Sequence, residues 1–350
     1  GRAGPGPRPV RMRAATTRRA ALCEEASGSP TTRSTSPGCV LLHCASPDTT
    51  TGNATAPNRR WQTLRVLMCF WKMFKTPLTC IGNLFANASL RKQFPDLPYY
   101  VDGSAVPLSK NGSFIGHHIM VPKEGVAIHI NAFNFPIWGM LEKIAVNLMA
   151  GVPAVVKPSE YTSFLSEVVV RDIIASKILP EGALQLLVGL GRGLIDSVDS
   201  RDVVTFTGSA ATGKILQSHP RILSESVPFN LEADSLNASV LGKKASPGTV
   251  EFDLFIKEAV KEITIKAGQK CTAVRRIIVP EEYLEEVQKG ISARLASTKI
   301  GNPSVEGVRM GALATKTQVD RVRASVEELA KSQQIVFGDL DEFEVHGADK

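Results

Sequence analysis

The chain has 350 residues, of which 43% are apolar and 21% charged, and its formal net charge is +7 at pH 7. This length suits about two domains of ordinary size, and the apolar content excludes disorder of the whole chain. The charge is unevenly placed: residues 1–60 hold nine Arg and three acids, a balance of +6, which leaves +1 for residues 61–350. A nearly neutral body removes the electrostatic argument for a nucleic-acid or membrane partner.

Residues 1–60 are rich in Arg, Pro, Gly, Ser and Thr and poor in apolar side chains. Such a segment cannot bury enough apolar surface to offset its conformational entropy, so we predict that residues 1–78 form a disordered or non-native basic segment. Its origin stays open between sequence foreign to the domain, an organelle-targeting leader and an arm that binds nucleic acid. We expect a cytoplasmic protein unless the segment is such a leader.

Cysteine spacing and hydropathy exclude two further classes of protein. Five of the six Cys fall within the first 80 residues, without the Cys-x-x-Cys spacing of zinc sites, so we predict no metal. The apolar stretch 61–81 is interrupted by Arg65, Lys72 and Lys75, and no uncharged run reaches about 18 residues. We therefore predict no transmembrane helix.

From residue 125 onward, short apolar runs alternate with longer stretches of helical periodicity. The predicted elements, in chain order, are strand 125–130, helix 138–149, strand 153–156, helix 164–176, strand 184–188, strand 202–206, helix 210–217, helix 252–266, strand 276–279, helix 282–295 and helix 318–331. Alternating strands and helices predict an α/β fold, with a parallel sheet covered on both faces. Ligands of such sheets bind beyond the carboxyl ends of the strands.

Three motifs follow predicted strands, and each has two interpretations. Gly189 opens a Gly-x-Gly-x-Gly run, which is weak support for a dinucleotide site and equally typical of an ordinary turn. Gly208 and Ser209 open a helix, where backbone amides suit a phosphate or the serine caps the helix. Lys157, stopped by Pro158, would meet a ribose or phosphate, or be solvated.

Three other residues have chemistry that catalysis uses. Cys271 follows a long helix and is either a nucleophile or a small buried apolar side chain. Glu232 lies in an apolar stretch, so its carboxylate is either part of a site or solvated at a strand end. The Asn134 amide, between Phe133 and Phe135, would donate to an oxyanion or close its own turn.

The order of these motifs resembles that of the aldehyde dehydrogenase family. The stretches that carry the resemblance are INAFNFPIWGMLEK (130–143), VVTFTGSAATG (203–213), EADSLN (232–237), AGQKCTAVRRIIVP (267–280), Ile300-Gly301-Asn302-Pro303 and Met310-Gly311. They are most similar to the dehydrogenase half of bifunctional proteins that join an aldehyde dehydrogenase to an enoyl-CoA hydratase in phenylacetate degradation. The resemblance covers about residues 80–340.

The resemblance implies NAD(P)-dependent oxidation of an aldehyde. Cys271 would attack the aldehyde to give a thiohemiacetal, and Asn134 with the Cys271 backbone N–H would hold the oxyanion. After hydride transfer leaves a thioester, Glu232 would activate water as a general base. The substrate class implied is a CoA-linked semialdehyde, and the family implies a homo-oligomer.

The resemblance also implies the cofactor site. Lys157 and Glu160 would contact the adenosine ribose and Ser209 the pyrophosphate, with Ser159, Gly189 and Gly208 beside them. We expect NADP first, with NAD possible. The predicted fold is therefore aldehyde-dehydrogenase-like, with a Rossmann-type parallel sheet domain in an N-terminal portion (79–240) and an incomplete α/β catalytic domain (241–350).

The sequence departs from the family's pattern near its end. The family's Glu-x-Phe-Gly-Pro motif lies farther beyond the nucleophile than this chain extends, and Asp341-Glu342-Phe343 comes too early and lacks Gly-Pro. We therefore expect a chain truncated at both ends. The alternative function is a catalytically inactive relative that only binds ligands or serves a structural role.

Overall fold

The computed structural model describes residues 40–42, 79–94, 97, 99–340 and 342–348. The chain divides into two compact units, Gly1–Ala233 and Asp234–Lys350. The disorder predicted for residues 1–78 lies outside the described residues, except that Val40–Leu42 form a strand. The predicted domain boundary at 240/241 stays a prediction.

The first unit contains both strands and helices throughout its described part. Its strands are β1 (Val40–Leu42), β2 (Tyr100–Pro107), β3 (Ile115–Met120), β4 (Ala127–Ile130), β5 (Ala154–Lys157), β6 (Leu184–Val188), β7 (Val203–Gly208) and β8 (Phe229–Ala233). Its helices are α1 (Thr79–Arg91), α2 (Pro136–Met149), α3 (Ser163–Ala175), α4 (Ala210–Gln217) and α5 (Pro220–Ser224). Every element predicted in this unit is present, with ends displaced by at most two residues, which is the usual uncertainty of such boundaries.

A six-stranded sheet organises the first unit, in the order β1-β6-β5-β4-β7-β8. Strands β4 to β8 are parallel, as predicted, whereas β1 pairs antiparallel with β6 at one edge. The chain runs outward from β4 through β5 to β6 and then returns to add β7 and β8 on the other side of β4. The strand order therefore reverses between β4 and β7, and ligands of such sheets bind at this switch point.

Apolar side chains cover both faces of this sheet, which confirms the predicted layering. On one face, α2 and α3 pack on β5 and β6 through Met140, Leu141, Ile144, Val156, Val169, Val170, Ile173 and Leu186. On the other face the buried cluster is Val126, Ile128, Leu187, Leu194, Ile195, Val198, Val204, Ile222 and Val227. Helix α2 begins at Pro136, two residues before the predicted start, because proline fits the first helical position.

A buried histidine in the central strand joins the sheet to α2. His129 is 2% exposed; its Nδ1 lies 2.8 Å from Thr205 Oγ1 on β7 and its Nε2 lies 2.8 Å from Asn147 Oδ1 on α2. The Asn147 amide nitrogen donates to Val152 O, so Asn147 Oδ1 accepts and His129 Nε2 carries the proton. Burial lowers the pKa of His129 to about 4, so the imidazole is neutral near pH 7 and its Nδ1 accepts from Thr205.

Strands β2 and β3 form an antiparallel hairpin that the sequence did not predict. Its pairing includes a register shift between Asp102 and Val106. Several of its apolar side chains are exposed, among them Val106, Ile115 and Ile119. The alternation of apolar and polar residues here is broken by Gly, Ser and Pro, which conceals the strands from pattern analysis.

The second unit combines a two-stranded parallel sheet with helices. Its elements are β9 (Asn237–Val240), α6 (Val250–Thr264), a 3₁₀ turn (Ile265–Gly268), β10 (Val274–Ile278), a 3₁₀ turn (Glu281–Tyr283), α7 (Leu284–Ala296) and α8 (Lys316–Ala330). A small core of Leu241, Phe252, Ile256 and Val287 joins α6 and α7. The predicted helix 252–266 ends earlier, at Thr264, because Lys266 and Ala267 have left-handed backbone angles.

Two kinds of feature are absent from the described residues. None of their helices is long and apolar enough to cross a membrane. In that same part of the chain, no three His, Cys, Asp or Glu side chains group as metal ligands would.

Candidate active site

Lys143 forms hydrogen bonds at the ends of β4 and β7, the two strands that flank the switch point of the sheet. Lys143, half-buried on α2, donates from Nζ to Asn131 Oδ1 and to Thr207 Oγ1, both at 2.7 Å. Asn131 directly follows β4, is 5% exposed, and has no hydrogen-bond partner for its Nδ2 within the described structure. Thr207 lies on β7 beside it. These three polar side chains therefore lie together at the switch point between β4 and β7.

Glu232 is joined to the same network from β8. The register places Glu232 opposite Thr207, and Thr207 Oγ1 donates to Glu232 Oε2 over 3.4 Å. Burial lowers the pKa of Lys143, and the carboxylates of Glu142 and Glu232 oppose that change. Burial is also the main cause that raises the pKa of Glu142. Glu232 is exposed near the end of β8 and also belongs to a polar cluster. Its carboxylate therefore combines the two predicted environments, solvent at a strand end and a candidate site.

Asn134 lies in the turn between β4 and α2, and it is partly exposed. This turn is joined to the β5–α3 connection by Thr162, whose Oγ1 donates to Phe133 O at 3.1 Å. Asn134 therefore stands at the same edge of the sheet as Asn131. Its role as an oxyanion donor stays a prediction.

Lys157 at the end of β5 is buried, so the solvated alternative is wrong. Its Nζ lies 3.5 Å from Glu160 Oε2. Gly191, with φ +65°, lies against its stem: a Cβ at this position would come within 3.2 Å of Lys157 Cγ. Within the Gly-x-Gly-x-Gly run, Gly191 is therefore favoured by its positive φ and by its close approach to Lys157.

Ser209 begins α4 directly after β7, and both of its predicted roles are compatible with that position. Its hydroxyl accepts from Thr212 N at 3.3 Å, which makes it the N-cap. Close packing explains two nearby glycines: a Cβ at Gly208 would lie 2.5 Å from Phe206 Cζ, and one at Gly213 would collide with Leu231 Cδ1. The helix N-terminus thus opens beside the switch point with its amides and positive dipole end outward.

These residues fit a dinucleotide cofactor. The loop 189–193 has glycines at positive φ, the N-terminus of α4 suits a phosphate, and Lys157 with Glu160 offers a cation and a carboxylate for a ribose and its substituents. Ser159, partly exposed, lies between Lys157 and Glu160 on the same turn. The arrangement is typical of nucleotide-binding α/β proteins.

In the second unit, Cys271 is exposed and in the free thiol form, so the buried apolar alternative is wrong. It lies in the turn that leads into β10, next to the fully buried Ala273. Asn237, the first residue of β9, donates from Nδ2 to Cys271 O at 2.5 Å and to Ala273 O at 3.1 Å. The thiol is thus presented on a turn that a side chain holds.

Lys143 and Asn237 belong to these clusters, and the sequence assigned neither of them a role. The sequence gives a weak indication for Lys143, because a charged residue there interrupts a mostly apolar helical stretch. It gives no indication for Asn237, because its hydrogen bonds are with residues 34 and 36 positions away. Such long-range contacts carry no local pattern.

The aldehyde dehydrogenase family profile matches residues 88–347. The chain therefore belongs to the aldehyde dehydrogenase family, a family of oxidoreductases. It is 45% identical over 248 residues to the 3,4-dehydroadipyl-CoA semialdehyde dehydrogenase of Aromatoleum evansii, a match that covers 71% of this chain and 48% of the relative. A putative aldehyde dehydrogenase of Staphylococcus haemolyticus is 31% identical, over 63% of this chain and 46% of its own.

Solved structures of aldehyde dehydrogenases share the fold. Betaine aldehyde dehydrogenase of Staphylococcus aureus, in complex with NAD+, matches with a TM-score of 0.59 and 24% identity over 72% of this chain and 47% of its own. The NAD+ complex of an aldehyde dehydrogenase from Bacillus cereus matches with a TM-score of 0.60 and 22% identity over 72% and 48%. The chain spans about half the length of the curated relatives that it matches.

Proposed function

We propose that this chain carries the nucleotide-binding portion and the nucleophile of an NAD(P)-dependent aldehyde dehydrogenase. The observation that carries the proposal is the exposed Cys271 thiol on a turn held by Asn237. An exposed thiol on a braced turn is suited to attack a carbonyl carbon, whereas a structural cysteine is usually buried and inert. The polar cluster around Glu232 in the first unit supplies the carboxylate that the second half of the reaction needs.

The proposed chemistry assigns each residue a task. The Cys271 thiolate adds to the aldehyde carbon, and the electron pair of the C=O bond moves to oxygen, where Asn134 and the Cys271 N–H donate hydrogen bonds. The cofactor supplies the acceptor for the hydride that leaves this carbon. Glu232 then takes a proton from water, whose oxygen adds to the thioester carbon, and the acid departs as the C–S bond breaks.

For the cofactor we propose NADP first and NAD second. The Lys157 ammonium suits a 2′-phosphate, whereas the Glu160 carboxylate suits free ribose hydroxyls. The two solved relatives named above are complexes with NAD+, which keeps NAD as the alternative. Titration of the full-length protein with each cofactor, followed by tryptophan fluorescence, distinguishes them through their dissociation constants.

For the substrate we propose a CoA-linked semialdehyde of aromatic catabolism, in particular of phenylacetate breakdown. The support is the 45% identity to a relative named as a dehydrogenase of one such semialdehyde. We also propose a homo-oligomer, because the β2–β3 hairpin exposes apolar side chains that a second copy would cover. Sedimentation analysis of the full-length protein tests the assembly. The cytoplasmic localisation stays a prediction.

The decisive experiment is turnover with a thiol control. We expect the full-length natural polypeptide to reduce NADP+ or NAD+ with a CoA-linked semialdehyde, Cys271→Ala to abolish this activity, and Cys80→Ala, on α1, to retain it. Cofactor binding without turnover in the unaltered protein would instead favour the inactive relative. Full activity in Cys271→Ala would contradict the proposed nucleophile.

A further inference from the structure

The segment that leads into the turn of Cys271 has an unusual backbone. Lys266 and Ala267 have φ values of 53° and 51°, and Gly268 has a φ of 72°. Left-handed angles are unfavourable for residues with a Cβ and persist only where surrounding contacts impose them. Contacts with neighbouring residues must therefore hold this segment in place.

Asn237 holds the segment after the thiol. Its single amide nitrogen donates to Cys271 O and Ala273 O, the carbonyls on either side of Thr272. Asn237 pairs in register with Val274, the first residue of β10, so its side chain reaches back along the incoming chain. Both of its N–H groups are used, and both act on backbone next to the nucleophile.

Arg275 holds the segment before the thiol. Arg275 lies where the strand register shifts, between Val274 and Arg276. Its Nη2 donates to Gly268 O at 2.8 Å and to Lys270 O at 3.4 Å. Ala273 N also donates to Lys270 O, at 3.1 Å. The carbonyl of the 270–271 peptide therefore points toward the β10 side of the turn.

The direction of this carbonyl fixes the direction of the next N–H. A trans peptide is planar, with its C=O and N–H on opposite sides. Since Lys270 O points toward Ala273 and Arg275, the Cys271 N–H points away from them. This N–H is the oxyanion donor in the proposed function, so the donors that hold the two flanking peptides also set its direction.

We propose that Asn237 is a positioning residue for the reaction of Cys271: its amide fixes the 271–272 peptide and, together with Arg275, orients the Cys271 side chain and N–H. This inference rests on the proposed function, because it requires Cys271 as the nucleophile. Asn237 acts through the backbone of Cys271. The Lys270–Glu262 ion pair, at 2.7 Å, anchors the same turn to α6 and is the neighbouring charged contact.

The test compares Asn237→Ala, which loses both donors, with Asn237→Ser, which keeps one. Asn302→Ala is the matched control, because Asn302 is exposed in the same unit and accepts from Ser304 N within its own turn. Hydride transfer is measured in a single turnover of the full-length protein at saturating enzyme. Under that condition the rate constant does not depend on the fraction of misfolded molecules, so a purely structural defect leaves it unchanged.

We expect Asn237→Ala to slow hydride transfer on the order of 10- to 100-fold, less than the ~10²–10³-fold cost of removing an oxyanion donor outright. Asn237→Ser should fall between, and Asn302→Ala should match the unaltered protein. Alkylation of Cys271 by iodoacetamide needs a thiolate but no oxyanion donor, so we expect it to slow less than hydride transfer.

Two results for the variant would overturn the proposal. An unchanged single-turnover rate constant in Asn237→Ala, with only the active fraction reduced, would make Asn237 structural. Equal slowing of alkylation and hydride transfer would confine its effect to the thiol and refute the proposed orientation of the Cys271 N–H. Absence of hydride transfer in the unaltered protein would refute the proposed function and this role with it, whereas normal transfer with an unaffected variant refutes the role of Asn237 alone.

Discussion

The buried His129 makes the stability of the first unit dependent on pH. Burial lowers the pKa of His129 from 6.5 to about 4, with the hydrogen bond to Asn147 opposing and the Lys143 charge reinforcing this change. The unfolded chain therefore binds a proton at a higher pH than the folded protein does. Stability from this residue is present above pH 6.5 and is lost as pH falls toward about 4.

The size of the effect follows from the two pKa values. Each pKa unit corresponds to about 1.36 kcal/mol, so a fall from 6.5 to about 4 amounts to about 3 kcal/mol at pH 4. That is a large part of the total stability of an ordinary domain, about 5–15 kcal/mol. A substitution that keeps the hydrogen bonds but cannot titrate should remove this part of the pH dependence.

His129→Gln is such a substitution, since its amide has one donor group and one acceptor. Urea unfolding of the full-length protein between pH 7 and pH 4, monitored by circular dichroism, gives the free energy of unfolding at each pH. We expect the variant to be less stable at pH 7 and to lose about 3 kcal/mol less than the unaltered protein on acidification. His117→Gln, which removes an exposed histidine, is the control. Parallel pH curves for His129→Gln and the unaltered protein would refute the reasoning.

Two glycine positions give further predictions. Gly213→Ala should lower the free energy of unfolding by about 1–3 kcal/mol, since its Cβ collides with Leu231; Gly139→Ala in α2, with open space around its Cβ, should raise it by about 0.5–1 kcal/mol. Equal melting temperatures for both variants would contradict this. Gly191→Ala combines a φ of +65° with a close approach to Lys157, so we expect cofactor affinity to fall several-fold in a fluorescence titration, while Gly242→Ala leaves it unchanged.

The sheet could be predicted from the sequence because its strands carry their own signal. β4, β5 and β6 are short apolar runs bounded by Gly or Pro, and strands buried on both faces have this composition. The β2–β3 hairpin was missed because Gly103 and Pro107 interrupt its alternation. β1 was missed because its three residues lie within a stretch whose composition favours disorder.

The candidate site was predicted only in part, for a different physical reason. Cys271, Glu232 and Lys157 have chemistry that stands out in their local sequence. Asn237 acts through contacts 34 and 36 residues away, and no local pattern records that distance. The burial of Lys157 likewise depends on a loop that follows two elements later.

The antiparallel pairing of β1 with β6 has a consequence for the order of folding. Leu42 pairs with Leu186, 144 residues later (186 − 42). During synthesis at about 5–20 residues per second, β1 waits roughly 7–30 s before its partner has been made. The first strand of the sheet to be made can thus join it only after β4, β5 and β6 have followed, and until β1 pairs, one edge of β6 offers its amides and carbonyls to any extended chain nearby.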